Sequence, residues 1–172
     1  MKKITTAFLL LFSIQFAYAQ VQYGHLNYGT LLSVLPETQQ ADKTLEAYQK
    51  DLEAALKVKV EDYKKKYSEV AQKVQDGLLS PGEIAKYEEE FKQTEDQLKF
   101  QEIQISEKVA KKRKELLDPI IERANAAINA VAKERGLLMI FDTSIFNAIL
   151  AATDEADMMP YVLAKLGIDY NK

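Results

Sequence analysis

Few side chains in this sequence can make or break bonds, and they are scattered. His25 is the only histidine, and there is no cysteine for thiol chemistry or disulfides. His25 stands within Tyr23-Gly24-His25-Leu26, an apolar strand context in which an imidazole serves packing rather than proton transfer. No Ser-His-Asp constellation, no metal-ligand spacing and no phosphate-binding glycine loop accompanies it. The adjacent carboxylates Glu88-Glu89-Glu90 lie on the surface of an amphipathic helix, with no pocket in which to act as acid and base. The sequence therefore predicts no enzyme and calls for no cofactor or metal. The chemistry left to it is non-covalent.

The candidates for such binding are apolar residues that miss the expected packing stripes. At ~100° per residue, Val58 and Phe100 fall on the far side of their helices from the seam, with Ile103 nearby, and Leu78 and Leu79 stand at a turn. Single surface hydrophobes are common and need no function. The sharper expectation is a client-facing surface, in which weak, dispersed apolar contacts hold an unfolded chain.

Two long helices must position these residues. Residues 41–76 contain no Gly or Pro, and a second helical run extends from the break at Asp76-Gly77-Leu78-Leu79-Ser80-Pro81-Gly82-Glu83 to Leu117. The first stripe is Ala41, Leu45, Tyr48, Leu52, Leu56, Val60, Tyr63, Tyr67, Val70 and Val74. Its nine steps cover 33 residues, a mean near 3.7, so one stutter interrupts a strict heptad. The returning stripe is Ile84, Tyr87, Phe91, Leu98, Ile105, Val109, Leu116 and Ile120, with polar gaps around Thr94, Glu102 and Arg113.

At the break, Gly77 suits the left-handed residue that ends a helix, and Ser80, Pro81 and Glu83 form a capping box. So short a break predicts an antiparallel coiled-coil hairpin. Each helix of about 38 residues would be roughly 55–60 Å long. Folding about residues 79–80 places Lys111–Lys114 near Glu46, Asp51 and Glu53, and Lys64–Lys66 near Glu95 and Asp96, a charge-laced solvated surface.

The remaining segments are short. Gln22–Asn27 alternates like a strand, and Tyr28–Leu35 is a short helix stopped by Pro36. Asp118-Pro119 either caps a fresh helix or kinks the long one; the segment carries Ile120, Ala124, Ala127, Ile128 and Val131 and ends at Gly136. Leu137–Phe141 is a buried-strand candidate, followed by a turn at Asp142-Thr143-Ser144, and Ile145–Leu150 is expected to pair with it as a second strand. Asp157–Leu166 forms a terminal helix. The fold class is α+β: a small β-sheet body, residues 20–40 and 119–172, bearing a helical arm at 41–118.

The N-terminus predicts export. Met1-Lys2-Lys3, an apolar stretch from Ile4 to Phe12, and Ala17-Tyr18-Ala19 before Gln20 have the build of a cleaved signal peptide, residues 1–19, too short in its apolar core to span a bilayer. Without Lys2 and Lys3, the 23 basic residues fall to 21 against 26 acidic ones, a net charge of −5. That acidity argues against nucleic acid as a partner. No later segment is long and apolar enough to keep the mature chain in a membrane.

The order of these pieces carries a family resemblance. Tyr23-Gly24-His25-Leu26-Asn27 and Leu31-Leu32-Ser33-Val34-Leu35-Pro36-Glu37 precede the charged helices. Leu116-Leu117-Asp118-Pro119-Ile120, Ala130-Val131-Ala132-Lys133-Glu134-Arg135-Gly136, a strand and Asp142 follow. Over essentially the whole mature chain this resembles the Skp (OmpH) family of periplasmic chaperones. The resemblance implies a homotrimer whose strands share a β-barrel body, with three helical arms around a cavity. It implies ATP-independent binding of unfolded outer-membrane proteins, and a periplasmic location.

A body this small is short of core, which agrees with oligomerisation; Tyr23, Leu26, Leu138 and Ile140 are the expected interface positions. The chain departs from well-known members, whose arms are strongly basic: Asp42–Asp118 carries 16 basic and 18 acidic residues. No lipopolysaccharide-binding residue carries over. The alternative expectation is a structural coiled-coil adaptor or spacer that binds a folded envelope partner through the tip, Gly77–Gly82.

Overall fold

The computed structural model describes residues 22–169, and the expected signal peptide lies outside them. In chain order the elements are strand β1 (Gln22–Leu26), helix α1 (Tyr28–Val34), helix α2 (Pro36–Gln75), helix α3 (Pro81–Glu134), strand β2 (Leu137–Asp142), a 3-10 turn (Asp154–Ala156) and helix α4 (Met159–Lys165). The chain is mostly helical with one small sheet. It divides into a sheet unit, residues up to Leu31 together with Asn125 onward, and a helical unit, Leu32–Ala124.

In the sheet unit, β1 and β2 are parallel, with Tyr23 opposite Met139, Gly24 opposite Ile140, His25 opposite Phe141 and Leu26 opposite Asp142. A register shift next to Gln22 leaves Leu138 as the extra residue of a bulge. Parallel strands cannot be joined by a tight turn, and here the long helices supply the connection. Asn27 caps α1 by accepting the Thr30 N–H on Oδ1 at 2.8 Å. The core of this unit is Leu26, Leu31, Ala127, Val131, Met158, Met159, Val162 and Leu163, all buried. Gly24 is required by close packing, because a Cβ there would lie 2.5 Å from Met158 Cγ and 3.1 Å from Leu137 Cδ1.

In the helical unit, α2 starts at Pro36, five residues before the expected Ala41, because proline is well placed in the first turn of a helix. Its 40 residues are about 60 Å long at ~1.5 Å per residue. The helix ends in a Schellman motif: Leu78 N–H donates to Lys73 O at 2.9 Å and Gly77 N–H to Val74 O at 3.1 Å, with Gly77 at φ 69°. The capping box is formed: Ser80 N–H donates to Glu83 Oε2 at 2.8 Å, and Glu83 N–H to Ser80 Oγ at 3.4 Å.

α3 runs unbroken through Pro119, so Asp118-Pro119 neither starts a fresh helix nor ends the long one. Cross-helix partners rise along α2 as they fall along α3. Lys59 Nζ donates to Gln101 Oε1 at 2.9 Å, Tyr63 Oη to Glu95 Oε1 at 2.6 Å, and Lys66 pairs with Glu90.

Two expectations fail in the sheet unit. Ile145–Leu150 is not a strand. Asp142 Oδ1 accepts the Ser144 N–H at 2.8 Å, Ala148 N–H bonds back to Ile145 O at 3.1 Å, and Asn147 sits at φ 59°. Those turns break the extended backbone that a ladder needs. Nor is Leu137–Phe141 a buried strand: Leu138, Met139 and Phe141 are all exposed, because the core of the unit covers only part of the pair. The terminal helix is shorter than expected, α4 beginning at Met159 after the 3-10 turn.

Candidate functional site

The helical unit's seam fixes what its outer face can present. Phe91 is buried and gathers three tyrosines, with ring centroids 5.1 Å from Tyr67, 5.7 Å from Tyr63 in an edge-on arrangement, and 6.2 Å from Tyr87. Such pairs add ~0.5–1.5 kcal/mol each beyond their burial. The Tyr63 hydroxyl is pushed up to about 12, first because it donates to the Glu95 carboxylate and then by burial and that group's charge. Toward the lower-numbered end of α2 the ring cluster ends. There Leu52, Leu56, Gln101, Gln104 and Ile105 line a cleft of about 280 Å³.

The outer face carries the expected binding residues. Val58 is 59 % exposed, Phe100 60 % and Ile103 58 %. Val58 precedes Lys59 and Phe100 precedes Gln101, so both flank the Lys59–Gln101 hydrogen bond at one level of the helix pair. Ile103 follows Phe100 by three residues, which puts the two on one helix face. At the turn Leu78 is exposed, but Leu79 is partly covered, against the expectation that both stand free. The basic run is partly paired locally: Lys111 and Lys112 both reach Glu115, and Lys114 reaches Asp118, all within α3. No ion pair to Glu46, Asp51 or Glu53 is formed among the described residues.

The sheet unit presents a second surface. Of the expected interface residues, Tyr23 and Leu138 are exposed and Ile140 is partly covered. Leu26 is buried inside its own unit and offers nothing to a partner, because β1 turns that face to the local core. Residues that the sequence reading placed in a paired strand join the exposed surface instead: Met139, Phe141, Ile145, Phe146 and Leu150. The signal was present as an apolar run with no matching run to cover it.

Asp142 pins the end of β2. Partial burial works to raise its carboxyl, but hydrogen bonds from Ser144 N–H, Ser144 Oγ and Tyr28 N–H outweigh it and hold the group below the usual range. Tyr28, whose hydroxyl donates to Asn125 Oδ1 at 3.0 Å, is raised mainly by burial. Arg135 stacks 3.7 Å from the Tyr161 ring centroid, and Lys165 pairs with Glu134. These contacts fasten α4 to the end of α3.

His25 lies within β1. Its carbonyl accepts the Met158 N–H at 2.8 Å, while its buried Nε2 has no hydrogen-bond partner among the described residues. Among those residues no group of three His, Asp or Glu is placed to hold a metal, and no helix is long and apolar enough to cross a membrane. A family model described as Outer membrane protein (OmpH-like) matches residues 22–166. No curated protein matches the chain.

Proposed function

Because the chain belongs to the OmpH-like family, we propose that it is a holdase chaperone that binds unfolded outer-membrane proteins in the periplasm and needs no ATP. The family is periplasmic and is associated with chaperones of outer-membrane proteins. The observation that carries the reading to this chain is the exposed trio Val58, Phe100 and Ile103 on a helical surface rich in charge. Dispersed apolar contacts of this kind hold a non-native chain weakly at many points and let it go without an energy source. The acidic balance of the same helices favours apolar capture over charge attraction.

In this reading α2 and the first part of α3 are an antiparallel hairpin arm, supported by the opposed order of their cross-helix contacts. The sheet unit is the body through which three copies assemble into a shared barrel, supported by its exposed apolar strand face. Residues 1–19 act as the cleaved export signal.

The test is light scattering. A urea-unfolded outer-membrane barrel is diluted into buffer with and without the chain from Gln20 onward, at about one trimer per client. Suppressed aggregation without nucleotide is the expected result. Undiminished aggregation at both low and high salt would contradict the holdase reading and favour an adaptor for a folded partner.

A further inference from the structure

The apolar residues on the outer face of the helical unit have charged neighbours in a fixed order. Asp96, Phe100, Ile103 and Glu107 follow one another at steps of four, three and four residues, the spacing that puts side chains on one face of a helix. All four are exposed. An aromatic and an aliphatic group thus stand between two carboxylates, on a stripe roughly 16 Å long at ~1.5 Å per residue. On α2 the pattern is repeated in part, because the exposed Asp62 follows Val58 by four residues.

We infer that this stripe selects among client segments by charge, taking extended segments in which large apolar residues are interspersed with Lys or Arg. The inference rests on the holdase reading and names the class of segment held at that face.

The charges around the trio are unbalanced. Residues 57–62 and 96–107 carry three lysines, Lys57, Lys59 and Lys99, against five carboxylates, Glu61, Asp62, Asp96, Glu102 and Glu107. Lys57 is engaged with Glu61 at 3.9 Å, and Lys59 donates to Gln101. Asp62, Asp96 and Glu107 form no ion pair among the described residues. These carboxylates are solvated, so a cation brought beside them gains attraction without the cost of burying an ion.

The dimensions suit an unfolded chain. An extended segment rises ~3.3 Å per residue, so about five client residues match the stripe. A client Lys or Arg can lay its methylene stem along Phe100 or Ile103 while its charged head reaches Asp96 or Glu107, and the face of the Phe100 ring itself attracts a cation. Apolar contact supplies the attraction, and the carboxylates decide between segments that are equally apolar. A segment bearing Asp or Glu brings like charges together, and anionic lipid headgroups or nucleic acid are repelled on the same ground.

The test uses three fluorescent peptides of equal length and equal Phe and Leu content, carrying Lys, Glu or Gln at the remaining positions. Their binding to the chain from Gln20 onward is read by anisotropy. An exposed pair contributes a factor of roughly one and a half to five, so two pairs should make the Lys peptide roughly three- to tenfold tighter than the Gln peptide, with the Glu peptide weakest. That order should collapse near 1 M salt, where the screening length is ~3 Å.

Asp62→Asn, Asp96→Asn and Glu107→Gln combined should erase the preference for Lys and leave the Gln peptide's affinity unchanged. Asp42→Asn, Glu46→Gln and Glu122→Gln combined remove the same charge more than ~15 Å along the helices from the trio. That control should keep the preference, which separates the stripe from the net charge of the chain. Unchanged helical circular dichroism in both variants establishes that they fold. Equal affinity for the Lys and Glu peptides, a preference that survives in the first variant, or an equal loss in the control would overturn the inference. A chain that suppresses barrel aggregation yet ranks the three peptides alike keeps the holdase reading and loses this one; a chain that does neither loses both.

Discussion

The two units of this chain solve the problem of backbone polarity in opposite ways. In the helical unit every turn satisfies its own N–H and C=O groups, and a single seam around Phe91 supplies the packing. Side chains on its outer face are then free to be charged or apolar as function requires. In the sheet unit two strands make one ladder, a single bridge at His25 and Asp157 occupies the other edge of β1, and apolar side chains stand exposed on the pair. The helical unit packs its seam within one copy, whereas the sheet unit leaves large apolar side chains of its strands exposed. Exposed hydrophobes are set among charged residues in the first unit, and in the second fall in the strands, at Tyr161 and in residues 144–153, a segment without Asp, Glu, Lys or Arg.

That contrast can be broken from either side. The largest effect is expected of Phe91→Ala, which removes the ring that Tyr63, Tyr67 and Tyr87 pack around. A loss of ~3 kcal/mol, seen as lower-temperature melting of helical circular dichroism, would place the seam's stability there, while the oligomer mass should persist. Gly24→Val acts on the other unit. Its side chain would collide with Met158 and Leu137, costing ~1–3 kcal/mol and lowering the oligomer mass with little change in helix content.

Ser80→Ala removes one half of the capping box, at a cost of ~1 kcal/mol in the same melt. Smaller effects should follow pH. Tyr63 is raised in the folded chain from 10.0 to about 12, so its contribution is whole below pH 10 and is lost as pH rises toward 12. Tyr63→Phe should flatten that alkaline decline. Asp142 is lowered from 3.8, so its contribution is present above that pH and lost as pH falls through the folded value; Asp142→Asn should flatten the acid limb. The least effect on stability, within ~0.5 kcal/mol, is expected of Val58→Ser, Phe100→Ser and Ile103→Ser combined. Those changes should weaken client capture in the scattering assay while leaving the melt in place.

Much of the helical unit was legible in the sequence because its rules are local. Gly77, Ser80, Pro81 and Glu83 specify a helix end and a helix start within eight residues, and the stripes named Tyr63, Tyr67 and Phe91 as seam positions before their contacts were seen. The exposure of Val58, Phe100 and Ile103 followed from the same angular arithmetic. The sheet unit was less legible because apolar character does not say which surface covers it. Ile145–Leu150 reads as a strand by composition, yet Asp142, Ser144 and Asn147 fold it into turns. Leu26 and Leu138 look alike as letters, but the bulge beside Gln22 and the pleat send one inward and the other outward.

The most direct test of this division of labour is a photo-cross-linking experiment with a benzophenone side chain placed at position 100 or at position 146. Each protein is mixed with an unfolded outer-membrane barrel and irradiated. The probe at 100 should label the client, and the probe at 146 should label a second copy of the chain. Client labelling from 146 together with none from 100 would contradict the account, making the sheet unit the capture surface and the helical unit its scaffold.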